Sequence, residues 1–392
     1  MPLELERLSE LISFTDAAAQ NPIVRSGSRP THGGNLVWAA AVANCAPAAI
    51  LDFSASINPL GPPPTAIAAI QANLSHLSAY PDPSYTDLRQ AIAAYHGIAA
   101  EWVLPGNGAA ELLTWASRQL AACPAVVLPV PAFSDYQRAL QAFGATILPR
   151  SLKLQDWGNV TAATTALDVS TWGETVPAGS GVLLNNPHNP SGYLWTREAV
   201  LSLLDRFALV VVDEAFMDFV PPDRHTSVVA DVPHHPNLVV VRSLTKFYSL
   251  PGLRMGYAIA HPDRLQQWQQ WRDPWSVNSL AAAVGAVVLQ DTTFQQQTWD
   301  WLAQTRPPLQ QQLAALPGLH PYPSTANFFL VRTEFAVPPL QVALLKQEHV
   351  LIRDCLSFAE LGDRYFRIAI RTAAENQRLL EALSDCIDQY GN

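Results

Sequence analysis

Charged residues are scarce in this chain. Aspartate, glutamate, lysine and arginine make up 15% of its 392 residues, the net charge is −9, and no lysine- or arginine-rich run appears. A polyanion such as nucleic acid therefore finds no basic patch to hold it. Cysteine is rarer still: Cys45, Cys123, Cys355 and Cys386 are scattered without CxxC spacing. That pattern speaks against a zinc site and against a disulfide framework, and it reads as isolated thiols in a reducing compartment. No apolar run is long enough for a membrane span, and the acidic first thirty residues lack the apolar stretch of a signal peptide. The expectation is a cytoplasmic protein with neither membrane nor nucleic acid as a partner.

Proline and apolar residues are abundant. Thirty-two prolines cluster at 59–64, 81–83, 124–131, 187–190, 221–236 and 307–323, and mark breaks between short elements. A hydrophobic content of 49% over this length can bury a large core and suits one large and one small domain. Strand-like runs at 125–130, 181–185, 208–213 and 237–242 alternate with helical stretches at 134–143 and 196–206. The alternation predicts a mostly parallel sheet flanked by helices, an α/β fold. Beyond 290 the character changes: a helical pattern at 296–316, the strand Ala326-Asn327-Phe328-Phe329-Leu330-Val331, a helix near 338–347, strands around 350–353 and 365–370, and a last helix over 373–389. The expected division is an N-terminal segment 1–29, read as a helix packing on a partner, a large domain 30–290 and a smaller α+β domain 291–392. Residues 30–60 are expected to pack with the small domain.

The densest chemistry lies in Arg242-Ser243-Leu244-Thr245-Lys246-Phe247-Tyr248-Ser249-Leu250-Pro251-Gly252-Leu253-Arg254. It follows an apolar strand-like run, so Lys246 stands where a strand ends and a loop begins, the place where α/β folds bind ligands. A lysine there is by default a solvated loop residue. This one has a hydroxyl, Ser243, three residues before it and an arginine, Arg254, eight after it. The group suits a phosphorylated aldehyde: the amine condenses with the carbonyl while the hydroxyl and guanidinium hold the phosphate. Gly106-Asn107-Gly108-Ala109-Ala110-Glu111 opens a helical stretch directly after a strand, which presents backbone N–H groups to an anion. Val210-Val211-Val212-Asp213 ends an apolar strand in a carboxylate that is costly to bury without a partner. Arg367 lies inside an alternating run and Arg353 closes an apolar one, and a guanidinium in either place calls for an anion. Other segments leave two readings open. Thr31-His32-Gly33-Gly34-Asn35 is a close-approach loop or an ordinary glycine turn, Phe133 a ligand-facing or a core aromatic, and Tyr80 a contact or a packing residue.

Ser-x-x-Lys followed by Pro-Gly-Leu-Arg-Met-Gly-Tyr resembles the Schiff-base segment of fold-type I pyridoxal-phosphate (PLP) enzymes, the aminotransferase class I/II superfamily. Asn185-Asn186-Pro187-His188-Asn189-Pro190-Ser191-Gly192 resembles the superfamily's Asn-Pro-x-Asn-Pro-Thr-Gly loop. The resemblance implies the PLP-dependent transferase fold, with Lys246 carrying the cofactor and Asp213 pairing with its pyridine nitrogen. It further implies that Gly108, Ala109, Ala110, Ser243 and Arg254 hold its phosphate, that Phe133 stacks on its ring, and that Asn189 and Phe216 lie at its phenolic oxygen. Phe216 stands where many aminotransferases have tyrosine. Tyr80 by the same resemblance reaches the cofactor phosphate of a neighbouring subunit, which implies a homodimer with shared active sites.

Within the superfamily, the segments at 31–35, 52–61 and 274–278 and the two arginine-bearing strands are similar to the branch that decarboxylates L-threonine O-3-phosphate in cobalamin biosynthesis. That likeness implies that His32, Gly33, Ser56, Asn189, Arg353 and Arg367 hold the substrate's phosphate and carboxylate, with serine at 56 where members often have asparagine. In this chemistry the bond that breaks at the α-carbon is the one held perpendicular to the conjugated plane. Decarboxylase and aminotransferase therefore differ by a rotation rather than by a new group. A histidinol-phosphate-type aminotransferase using 2-oxoglutarate is the alternative. A non-catalytic PLP-binding protein is the third reading, and the intact set Lys246, Asp213 and Asn189 speaks against it.

Overall fold

The computed structural model describes residues 29–152, 172 and 176–390. The expected N-terminal helix falls, but for Arg29, outside the described residues. A seven-stranded sheet forms the centre. From edge to edge it runs Val103–Asn107, Met255–Ile259, Leu238–Ser243, Leu209–Asp213, Gly181–Asn185, Val126–Val130 and Ile147–Ser151. Only Met255–Ile259 runs against its neighbours. The inner strands are buried along their whole length, which is why they read as unbroken apolar runs rather than as alternation. The pleat still divides them: Val210 and Val212 join the core on one face, Val211 and Leu183 the core on the other. Each such side chain contributes about 1.5–3 kcal/mol by leaving water.

The register places three chemical residues side by side. Asn185 pairs with Asp213, and Asp213 with Val241, two residues before Ser243. These are the carboxyl ends of parallel strands, where the backbone runs out and side chains can meet a ligand. Helix Gly108–Leu120 starts directly after strand Val103–Asn107.

A second, antiparallel sheet is ordered Arg353–Asp354, Tyr365–Ala369, Phe328–Thr333 and Leu319–Pro321. Here the structure departs from the expected single strand at 350–353. Val350–Leu351 pairs instead with Leu51–Asp52 in a separate parallel ribbon, and Ile352 is the step between the two. Residues 51–53 are stitched further into this region by Phe53 N–H to the Leu351 carbonyl and Ala369 N–H to the Phe53 carbonyl, both 2.8 Å. Pro307 and Pro308 do not punctuate: they lie inside the long helix Thr292–Ala315. The helical stretch expected over 196–206 is shorter, Arg197–Leu201, followed by turns.

Candidate active site

Two cavities share His32, Phe133, Asp213, Ala215 and Lys246 in their walls. One, of about 280 Å³, adds Ala109, Ala110, Ser243, Thr245 and Arg254. The other, of about 210 Å³, adds Gly33, Ser56, Asn189, Phe216, Arg353 and Arg367. Every sequence-derived candidate except Gly108 and Tyr80 thus lines one or the other.

The larger cavity is built to hold an anion. Helix Gly108–Leu120 points its first turn into it, and the turn before the helix is held by the Glu111 carboxylate, which accepts from Asn107 N–H at 2.6 Å. Gly108 has φ +74°, which strains any other residue, and a Cβ there would lie 2.6 Å from Arg254 Nη2 and push the guanidinium from its place against the cradle. Lys246 Nζ lies 3.4 Å from Ser243 Oγ and 3.3 Å from Thr245 Oγ1. Burial lowers its pKa, Asp213 works against that, and Arg254 and Arg367 reinforce it. The neutral, nucleophilic amine is thereby made more accessible.

Asp213 is 4% exposed, and burial pushes its pKa up while Tyr136 and Lys246 pull it down. Its Oδ1 accepts from Ala215 N–H at 2.9 Å and its Oδ2 from the Tyr136 hydroxyl at 2.5 Å. The adjacent Glu214 is not available to a ligand, because Arg242 (2.7 Å), Ser227 (2.7 Å) and Val228 N–H (3.0 Å) occupy it. Phe133 meets His32 at 5.5 Å and Tyr136 edge-on at 5.6 Å. Phe216 packs on Phe328, and its ring centre is 5.6 Å from Lys246 Nζ.

The smaller cavity is cationic. Arg353 and Arg367 are directly opposite each other on paired antiparallel strands, an arrangement in which like charges repel. Arg367 donates to Asn189 Oδ1 at 2.5 Å and to the Ser54 carbonyl at 3.4 Å. Neither acceptor is charged, its Nε has no partner among the described residues, and no carboxylate forms an ion pair with it there. Burial and the Arg353 charge bring its pKa down to about 10, which leaves it charged at neutral pH. Ser56 Oγ is buried too, and has no partner among the described residues. Arg353 is fixed by the Thr31 carbonyl and by Ser357 Oγ. The 29–35 loop is held from the same side: Arg29 donates to Gln341 Oε1 at 2.6 Å and to the Pro338 carbonyl at 2.9 Å. Gly33 packs so closely that a Cβ would lie 2.3 Å from the Ser54 carbonyl oxygen. Burial and Arg353 lower the pKa of His32.

Tyr80 stands apart. Its side chain is exposed and lies on Trp275 with ring centres 4.5 Å apart, outside both cavities. Sequence reasoning missed Tyr136, Thr245, Ser54 and Arg29. All four had a usable signal, since each lies within three residues of a candidate already chosen; Ser54 and Arg29 are tied to the site by contacts far along the chain as well.

The sequence model of the aminotransferase class I and II family matches residues 48–383. The chain belongs to this family. It is 40% identical over 361 residues to the threonine-phosphate decarboxylase of Salmonella typhimurium, an alignment spanning 91% of this chain and 96% of that protein. Histidinol-phosphate aminotransferase 2 of Ralstonia nicotianae is more distant, at 33% over 87% of this chain and 90% of its own. Among solved structures, L-threonine-O-3-phosphate decarboxylase of Porphyromonas gingivalis superposes with a TM-score of 0.75 at 26% identity, covering 86% of this chain and 99% of that one. The family's cofactor is pyridoxal 5′-phosphate, and the donors present fit it. An amine, a carboxylate at a strand end, and an anion cradle with an arginine all face the same space. No helix among the described residues is long and apolar enough to cross a membrane.

Proposed function

We propose that the protein decarboxylates L-threonine O-3-phosphate to (R)-1-aminopropan-2-yl phosphate and CO2, a cytoplasmic step in cobalamin biosynthesis. The observation that carries this reading is the pair of opposed arginines, one of them buried and charged with only neutral acceptors. A phosphorylated amino acid brings two anions, one for each guanidinium, and arginine binds either in bidentate fashion. Both arginines, His32, Gly33, Ser56 and Asn189 are assigned to the substrate. Lys246 and Asp213 are assigned to the chemistry, and Gly108, Ala109, Ala110, Phe133, Phe216, Ser243 and Arg254 to the cofactor.

Lys246 would hold the cofactor, which would supply an electron sink for the pair left on the α-carbon when the carboxylate leaves as CO2. Asp213 keeps a negative charge against the ring nitrogen. Two anchored anions remove free rotation of the substrate, so that the arginines decide which α-carbon bond is placed to break. The Lys246 amine would return a proton to the α-carbon. Asn189, whose Oδ1 accepts from Arg367, would offer its Nδ2–H donors to the ligand.

The test is to mix the PLP-loaded protein with L-threonine O-3-phosphate, without any keto acid, and to follow CO2. Release over many turnovers is expected. Its absence, with conversion of the cofactor to its amine by histidinol phosphate, would move the protein to the aminotransferase reading.

We also propose that 30–290 and 291–392 act as large and small domains. The antiparallel sheet draws all its strands from beyond 290, and the ribbon at 51–52 links the two. A homodimer with shared active sites is proposed as well. Tyr80 is 79% exposed beside exposed Trp275, and Leu74 and Leu77, also exposed, stand shortly before it in the chain; these are apolar surfaces that water disfavours and a second copy can cover. Light scattering is expected to return twice the chain mass; a fully active monomer would refute it.

A further inference from the structure

The wall of the site includes a buried polar group, Tyr136, to which the proposed reaction gives no part. Tyr136, in the first turn of helix Ser134–Ala142, is 3% exposed, and its hydroxyl lies 2.5 Å from Asp213 Oδ2. We propose that Tyr136 is a positioning residue, which holds Asp213 as an ionised acceptor so that the proton between this carboxylate and the cofactor nitrogen stays on the nitrogen. The inference rests on the cofactor placement given above.

Burial and the Asp213 charge push the Tyr136 pKa well above that of a free phenol. The hydroxyl therefore stays protonated, and toward a carboxylate it can only donate. Asp213 then carries a donor on each oxygen, Tyr136 on Oδ2 and Ala215 N–H on Oδ1. The two bonds set the plane of the carboxylate, and they favour its charged form against the burial that opposes it. A carboxylate that loses one of two donors becomes more basic, and a proton shared with a nitrogen base moves toward the oxygen. Glu214 cannot take over, because Arg242, Ser227 and Val228 hold it.

Tyr136→Phe removes one oxygen atom and leaves the ring's edge-on contact with Phe133 in place. Wild type and Y136F are loaded with PLP carrying nitrogen-15 in the ring, and the ring-nitrogen resonance is recorded. The wild-type nitrogen is expected to be protonated, and in Y136F the resonance moves toward that of neutral pyridine. Turnover on L-threonine O-3-phosphate should fall about tenfold, the size of one hydrogen bond to a charged group, with KM within about twofold. A protonated wild-type nitrogen whose resonance is the same in Y136F overturns this inference alone. A wild-type nitrogen that carries no proton overturns the placement of the cofactor against Asp213, and the inference with it.

Discussion

Lys246→Ala is expected to reduce turnover by roughly a thousandfold, within the range that proton-transfer catalysis by one positioned side chain supplies. The variant loses both the amine that condenses with the cofactor and the base nearest the reacting carbon. It keeps the rest of the holding set. Asp213, Ser243, Thr245, Arg254 and the first turn of helix Gly108–Leu120 are untouched, so K246A should still take up PLP, without the visible band of the lysine-bound form. Lys246 is half-buried, and among the described residues its amine makes two long hydrogen bonds, at 3.3 and 3.4 Å; its removal leaves no strong partner stranded there. Lys246→Arg separates charge from nucleophilicity, since it keeps a cation and cannot be deprotonated at working pH. Both variants should show this loss, roughly a thousandfold. Full activity in either would sink the assignment of Lys246.

Arg367→Met is the second large effect, and its two readouts are expected to differ. Met keeps an apolar stem of similar length while removing the charge, and with it the guanidinium whose carbon lies 4.9 Å from the Phe328 ring centre. Substrate affinity should drop by roughly a hundredfold or more, because truncating one member of a buried charged pair costs about 2–5 kcal/mol and strands the other. Stability without ligand should not fall with it. In the unliganded protein Arg367 is a desolvated cation opposite Arg353 and bonded only to an amide and a carbonyl oxygen, and removing an uncompensated buried charge is neutral or stabilising. The melting temperature of unliganded R367M is thus expected to equal or exceed that of wild type, with PLP affinity changed far less than substrate affinity. Equal loss of PLP and substrate binding would show that Arg367 has been placed against the wrong ligand. The site stores this unfavourable charge for an anion that arrives later.

The α/β class, the central parallel strands and the Lys246 segment were legible because their causes are local. Short, β-branched valine runs bounded by turn residues read as strands buried on both faces, and a glycine turn before a helix announces its exposed N–H groups wherever the helix lies. Boundaries were less so. The continuous helix through Pro307 and Pro308 and the split at Ile352 depend on what packs around each segment, and local pattern does not carry that information.

From sequence alone came which residue types were present and which stood next to a strand end: the amine, the hydroxyl, the carboxylate after three valines, the arginines in apolar runs. Their grouping was decided by the tertiary structure. Arg353 and Arg367 are fourteen positions apart in the chain and face each other only because their strands pair. Tyr136 reaches Asp213 across 77 positions, and the Ser54 carbonyl meets Arg367 across 313. Hydrogen bonds and charge repulsion act over a few ångströms of space, so residues far apart along the chain acquire a shared chemistry only when the fold closes that distance.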